Sequence, residues 1–423
     1  MPLIDLAYGR HGLSVELSVP ADVIEPRFVP GLTDEASSIR RALREPTSGP
    51  PLRDVVPRGA SVGISVCDVT RPFPAQRVLP VLIEELELFG SGRITIFIAT
   101  GTHRTCTPAE LFEMLGAEVL RCCAVVQHDA FDASRHRQVG TVLGTQTPAL
   151  IESAFLDCDV RITTGFIEPH FFAGFSGGPK MVAPGLAALE TVLDLHSAAR
   201  IAHPNATWGV TQGNPVHDAV RAITAQVGVA FNLDVTLNRA HAITNVFAGE
   251  ILASHAAGCT FARQTAMAPV AKPYDVVLTT NSGYPLDQNL YQTVKGMSAA
   301  AQIVKAGGSI VVASECSDGV PAHGGYKDLL RDGVDPDAFM ARLSEPTFSV
   351  HDQWQVQVQA QIQRKAHVFL KSDGLSDAQV RAAWLEPIGD VADCVSARLA
   401  AAGTGARLAV LPQGPQTIPY VDE

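Results

Sequence analysis

Six short runs rich in β-branched residues, each breaking off in a polar turn, limit what this chain can fold into. They read ASVGISVCDVTRP (60–72), RITIFIATGTHR (93–104), DVRITTGFIEPH (159–170), YDVVLTTNSGYPLDQN (274–289), GSIVVASECSDG (308–319) and RLAVLPQG (407–414). Apolar runs this continuous suit strands buried on both faces of a parallel sheet. Helical patterns lie between them: VLPVLIEELELFG (78–90), PAELFEMLG (108–116) and SAAAQIVKAG (298–307). Strand alternating with helix predicts an α/β fold with right-handed crossovers. A length of 423 residues allows two such domains. PVAKP (269–273) reads as the hinge. The expectation is an N-terminal α/β domain over 1–271 that binds the cofactor and carries the catalytic groups, and a C-terminal α/β domain over 272–423 that closes over the substrate. Mainly parallel sheets are expected in both, with an active-site cleft between them. The glutamine-rich stretch 353–363 is expected to form a surface helix.

Composition narrows the class of partner. The net charge of −11 disfavours nucleic acid and anionic membranes, which need a basic face. The opening MPLIDLAYGRHGL has no basic segment followed by an apolar run, so no signal peptide is expected. No stretch approaches 18 uninterrupted apolar residues, so a membrane span is not expected and a cytoplasmic location is. Cysteines 67, 106, 122, 123, 158, 259, 316 and 394 show no C-x-x-C spacing. They read as reduced, buried thiols, not as disulfides or a thiolate metal site.

The polar clusters all follow strand-like runs: DVTR (68–71), GTHR (101–104), EPH (168–170) and NSGYPLDQN (281–289). Ligands of open parallel sheets bind beyond the carboxyl ends of the strands, so these clusters are candidates to line one cleft. Arg71 offers a planar fork for a carboxylate or phosphate, or else ties down its turn by pairing with Asp68. His103 and His170 hold equivalent positions past their own strands. Each is either a capping histidine or a general acid/base with a pKa near neutrality. Together, beside Arg71, they suit a reaction that handles a proton on either face of a carbon.

GFSGGPK (174–180) resembles a nucleotide P-loop only superficially, because Pro179 intrudes before Lys180 and Met181 stands where the magnesium-binding hydroxyl belongs. Ser176, Gly177 and Gly178 are still able to form an anion-binding nest. Lys180 reads as a charge or as a nucleophilic amine. His196 and His203 follow on what looks like a short helix, where an imidazole can ligate a transition metal. Tyr291, Gln292 and Lys295, on the helix opened by the Asn-Ser-Gly-Tyr-Pro turn, are placed to reach a ligand anion or to form a solvated face. Phe171, Phe172 and Tyr291 read first as packing and second as the wall of a substrate pocket.

DVTRP, ATGTHR, EPHFFAGFSGGPKMVAPG, DLHSAARIAHPNA and NSGYPLDQNLYQTVKG, in this order and spacing, resemble the nickel-dependent lactate racemases and the wider group of 2-hydroxyacid racemases and epimerases. The resemblance implies a nickel pincer nucleotide, a pyridinium mononucleotide with two sulfur-bearing arms and a metal–carbon bond. Lys180 then matches the lysine that tethers it through a thioamide, and His196 the protein ligand to nickel. His103 and His170 match the two acid/base histidines on opposite faces of the substrate. Arg71, Gln292 and Lys295 match the residues that hold the substrate carboxylate, and Tyr291 beside them is a further candidate for substrate binding. Asp68, Val69, Thr70 and Arg71 match the loop at the cofactor, and Ser176, Gly177 and Gly178 a phosphate cradle. The resemblance implies inversion at C2 of a 2-hydroxy acid by proton-coupled hydride transfer, with cofactor-maturation enzymes as partners. Two other classes stand beside it. A non-catalytic holder of a nucleotide or nickel species has no use for two matched bases, and a hydrolase using Lys180 as a charge clamp lacks a carboxylate-rich metal site.

Overall fold

Each of the six apolar runs forms a strand, and in a computed structural model they divide between two sheets. Residues 3–322, 324–345 and 348–422 are described. The chain separates into two units, one of residues 28–196 and 203–265, the other of residues 1–27, 197–202 and 266–423.

In the first unit six strands lie in the order Ile243–Gly249, Phe231–Leu237, Val160–Phe166, Val62–Cys67, Ile94–Ala99, Ala124–Gln127. Only the edge strand Ile243–Gly249 runs antiparallel to its neighbour. Val62–Cys67 is buried along its whole length, as a strand covered on both faces must be. Helix Ala75–Leu88 covers one face with Val78, Leu79, Leu82 and Leu86, all fully buried at helical spacing. Its first turn follows Pro74. Helix Pro108–Cys122 starts on a capping box in which Thr107 and Glu110 satisfy each other's amides, a device that stabilises by about 1 kcal/mol.

The chain adds strands outward from Val62–Cys67 through Ile94–Ala99 to Ala124–Gln127, then returns to lay Val160–Phe166 on the other side. The order therefore reverses between Val62–Cys67 and Val160–Phe166, which creates a crevice at their carboxyl ends. Cys67 lies opposite Ala99, and Ser65 opposite Thr163. The loops at 68, 100 and 167 thus leave the sheet nearly level with one another.

The second unit repeats the plan with Glu386–Pro387, His367–Lys371, Val304–Ala313, Tyr274–Thr280, Leu408–Leu411 and Asp22–Val23, all parallel. The first 27 residues, expected with the N-terminal domain, belong here. Asp22–Val23 extends the sheet beside Leu408–Leu411, and Ile4, Leu6, Val15 and Leu17 share a core with Val276, Val311 and Val395. The division falls between 265 and 266, just ahead of the PVAKP stretch.

Two helix expectations are revised. The pattern at 298–307 spans a boundary, since helix Leu290–Ala301 ends within it and strand Val304–Ala313 begins. Helix Gln353–Lys365 exists but is not a surface helix. Gln353, Gln355, Gln357 and Gln359 are buried, with side-chain amides that donate to backbone carbonyls such as Ala198 at 2.9 Å and Ala383 at 2.7 Å. Although Gln357 Oε1 has no hydrogen bond, amide donation to backbone carbonyls holds these side chains inside, so glutamine-rich and surface-exposed are not equivalent. All eight cysteines are free thiols, and Cys122 is exposed instead of buried.

Candidate active site

The loop after Val62–Cys67 turns at Asp68, whose buried carboxylate organises it. Thr70 donates to Oδ1 from its amide at 3.2 Å and its hydroxyl at 2.6 Å, while Oδ2 takes His103 Nδ1–H at 2.6 Å. Burial alone would push this carboxyl up, but the His103 ring, Arg71 and the Thr70 hydroxyl hold it below its ordinary value. Asp68 therefore pairs with His103, not with Arg71. The Arg71 guanidinium bonds the Thr70 carbonyl and hydroxyl, both at 3.2 Å, and makes no ion pair among the described residues. Val69 is half-buried against the hydrophobic core and brings no side-chain polar group to the loop.

Donation from Nδ1 to a carboxylate leaves the lone pair of a neutral His103 on Nε2. The ring is 31% exposed. A half-open imidazole backed by a buried carboxylate is the arrangement of a general base whose protonated form is stabilised from behind.

His170 arises differently. Pro169–His170 and Gly174–Phe175 form a two-residue antiparallel pair. Gly174 is required in that turn, because its φ is +79° and a Cβ would sit 2.3 Å from the Val210 carbonyl oxygen. The buried His170 ring stacks on Phe171 at 4.8 Å and meets Phe172 edge-on at 4.6 Å. Both phenylalanines are buried, so they pack the ring, as their first reading had it. The Ala173 amide donates to His170 Nδ1 at 3.3 Å, and Nε2 lies 3.1 Å from Lys180 Nζ. With Nδ1 accepting, a neutral ring carries its proton on Nε2 and donates it to the amine. That requires a neutral Lys180. Burial, and then the Arg71 charge, lower the Lys180 pKa to about 7, against some opposition from Glu168.

His196 caps helix Leu189–Leu195 and is buried. Its Nδ1–H donates to the Val192 carbonyl at 2.8 Å, which puts the lone pair on Nε2. Phe172 stands between this group and the last, 5.1 Å from the His196 ring and 5.5 Å from Lys180 Nζ. One aromatic side chain thus gathers His170, Lys180 and His196. His203 is exposed, with Nδ1 accepting from the Asn205 amide at 3.1 Å.

A nickel-bearing nucleotide of the expected kind asks for an amine to tether it, an imidazole for the metal and a cradle for the phosphate. A half-buried amine whose pKa is lowered to about 7 fits the first and an Nε2 lone pair fits the second. Ser176–Gly178 does not fit the third. The Ser176 amide donates to the Glu168 carbonyl at 2.9 Å and the Gly178 amide to Asp234 Oδ1 at 3.1 Å. The Ser176 hydroxyl donates to the Phe166 carbonyl at 2.6 Å. A segment whose donors already serve a buried carboxylate is a packing device. Gly178 is needed because a Cβ would lie 2.5 Å from the His255 ring.

The sequence reading passed over this supporting layer. Asp234, fully buried with a pKa raised by burial, also takes Asn232 Nδ2 at 2.9 Å, and His255 Nε2 donates to the Ser176 carbonyl at 2.8 Å. An aspartate in the middle of the apolar run FNLDVTL is the signal that marks it.

In the other unit, helix Leu290–Ala301 is capped by Asn289 and packs tightly on Thr280 through Gly296, where a Cβ would meet the Thr280 carbonyl oxygen at 2.1 Å. Lys295 Nζ donates to Gln292 Oε1 at 2.6 Å. The Tyr291 hydroxyl accepts from Trp354 Nε1 at 3.1 Å and its carbonyl accepts from Gln355. It ties its helix to Gln353–Lys365. No helix among the described residues is long and apolar enough to cross a membrane.

Comparisons with known proteins bear on the whole chain. The family model described as Lactate racemase N-terminal domain matches residues 8–209, and that described as Lactate racemase C-terminal domain matches residues 270–418. The curated Lactate racemase of Thermoanaerobacterium thermosaccharolyticum is 33% identical over 427 residues, spanning 99% of each chain. That of Lactiplantibacillus plantarum is 33% identical over 421 residues, covering 98% of this chain and 99% of the relative. Among solved structures, the lactate racemase apoprotein from T. thermosaccharolyticum matches with a TM-score of 0.92 and 31% identity over 99% of this chain and 100% of that one. A Thermotoga maritima protein, 19% identical, shares the fold at a TM-score of 0.73 over 93% of this chain and 100% of its own. With both family domains in chain order and full-length relatives at 33% identity, the chain belongs to the lactate racemase family and is an isomerase.

Proposed function

We propose that this isomerase inverts C2 of a 2-hydroxy acid, with His103 and His170 serving opposite faces of the stereocentre. The observation that carries the reading is the pair of imidazoles past the two parallel strands that flank Val62–Cys67, one backed by Asp68 and the other beside Lys180. When bound, a nickel pincer nucleotide supplies a hydride acceptor, which spares C2 from becoming a carbanion beside a carboxylate.

The chain's own residues handle the proton and the charges. His103 Nε2 takes the hydroxyl proton of one enantiomer, and Asp68 stabilises the resulting imidazolium through Nδ1–H. His170 is the acid/base group on the other face, where its Nε2 meets the oxygen of the opposite enantiomer. In the free chain its Nε2 contacts the Lys180 amine. Acylating that amine removes its basic lone pair, so tethering at Lys180 releases His170 for the substrate. Arg71 supplies the carboxylate clamp, with Gln292 and Lys295 as further substrate contacts. His196 offers Nε2 to the metal, and the buried Phe171 and Phe172 exclude water around His170. Relatives named lactate racemase make lactate the first substrate to test. A matched pair of acid/base groups, each fixed in one tautomer, favours turnover over storage of a cofactor.

Chiral chromatography of lactate and larger 2-hydroxy acids, incubated with protein matured by cofactor-synthesis enzymes, tests the reading. Either enantiomer of a true substrate yields the racemate. Retained configuration across the panel, with the cofactor present by mass, contradicts it.

A further inference from the structure

A second cluster in the first unit lies apart from His103, His170 and His196 and is used by no step above. His128 follows strand Ala124–Gln127, while His136 and Glu152 face each other across the antiparallel pair His136–Thr141 and Pro148–Glu152. His128 is fully buried and Glu152 is 2% exposed. The two Nε2 atoms lie 3.0 Å apart.

Hydrogen bonds behind the rings fix both tautomers. His136 Nδ1 is 2.9 Å from the Asp132 carbonyl, which only accepts, so Nδ1 carries the proton. Thr100 gives its single hydroxyl proton to the His128 carbonyl at 2.9 Å and must therefore accept from His128 Nδ1 at 3.2 Å. Two Nε2 lone pairs then point at each other at hydrogen-bond distance, a repulsive arrangement unless a cation lies between them. Glu152 completes the set. Its Oε2 is buried without a hydrogen bond, although Arg135 Nη2 stands 2.8 Å away as an ion pair lacking hydrogen-bond geometry. One ligand atom from each of the three residues lies within 4.8 Å of the others.

We infer that His128, His136 and Glu152 form a binding site for a divalent transition cation of the zinc class, separate from the proposed nickel ligand His196. Two imidazoles and one carboxylate suit zinc and its d-block neighbours, whereas magnesium and calcium prefer all-oxygen sites. Arg135 stands beside that same oxygen without hydrogen-bond geometry, so the Glu152 carboxylate keeps lone pairs for an ion. The surroundings suggest what such an ion does. The Glu152 amide donates to the Leu186 carbonyl, Leu189 to Ala130, and Gly101 to Gly185, at 2.9 to 3.0 Å. An ion here clamps the turn before His103 to the segment that leads into helix Leu189–Leu195 and so to His196.

The test uses the tag-free full-length chain made without cofactor, stripped by chelator and titrated with Co²⁺ and then Zn²⁺. The inference predicts one Co²⁺ per chain with a visible ligand-field band, displaced by Zn²⁺ and retained in His196→Ala. In His136→Ala, and independently in the isosteric Glu152→Gln, affinity falls by at least about 10-fold, with circular dichroism confirming the fold. It is overturned if wild type binds no more tightly than the folded variants, or if His196→Ala abolishes the band.

Discussion

His103 and His170 hold corresponding places past parallel strands, yet their anchors are chemically opposite. The first leans on a carboxylate, at 2.6 Å from Asp68, and the second on an amine, at 3.1 Å from Lys180. The carboxylate holds Nδ1–H and leaves Nε2 toward the open side, so the His103 arm is complete in the chain alone. The amine ties up His170 Nε2 until its own chemistry changes. The two bases are therefore equal in position but unequal in readiness, and each arm has its own way of being broken.

The largest break is at Lys180. Replacing it with methionine removes the only amine beside His170 that the account allows as tether. Matured Lys180→Met is expected to show no covalent adduct by intact mass and no racemisation, while the matured wild type shows both. Next is the other arm. Asp68→Asn keeps the shape but exchanges an acceptor-only carboxylate for an amide, which frees His103 to take the wrong tautomer. Racemisation should fall on the order of 10²–10⁴-fold, read as initial rates in both directions, with the Lys180 adduct intact.

The smallest effect sharpens the comparison through pH. A Lys180 pKa lowered from 10.5 to about 7 leaves the amine half neutral near neutrality. Acylation of the apoprotein by an amine reagent, followed peptide by peptide in the mass spectrometer, should therefore show Lys180 labelling with a midpoint near 7, while exposed lysines titrate far higher. The stability sign follows from proton counting. Between the folded and unfolded values the folded chain binds fewer protons, so this group adds stability as pH rises from about 7 toward 10.5.

The fold class was legible because buried parallel strands advertise themselves as continuous apolar runs, and all six runs are strands. The candidate catalytic groups were legible for a related reason, since each polar cluster follows a strand and the sheet order brings 68, 103 and 170 to one edge. What the sequence did not show is how polar groups are satisfied. The nest reading of Ser176–Gly178 misses that the Gly178 amide serves a buried Asp234 and the Ser176 amide a backbone carbonyl, partners that a glycine pair does not announce. Tyr291 looked like a ligand contact, and only the Trp354 indole reveals its partner. The buried glutamines of Gln353–Lys365 misled for the same reason, as their partners are backbone carbonyls that carry no sequence signature. His128, His136 and Glu152 are far enough apart in the chain to share no motif, and strand pairing alone assembles them.

The central claim is that two imidazoles work on one stereocentre, and matured His103→Ala and His170→Ala test it most directly. With cofactor content checked by mass, the conversion of each lactate enantiomer is followed by chiral chromatography. The account predicts that each variant loses at least about 100-fold in both directions. Near-normal racemisation by either variant would contradict it.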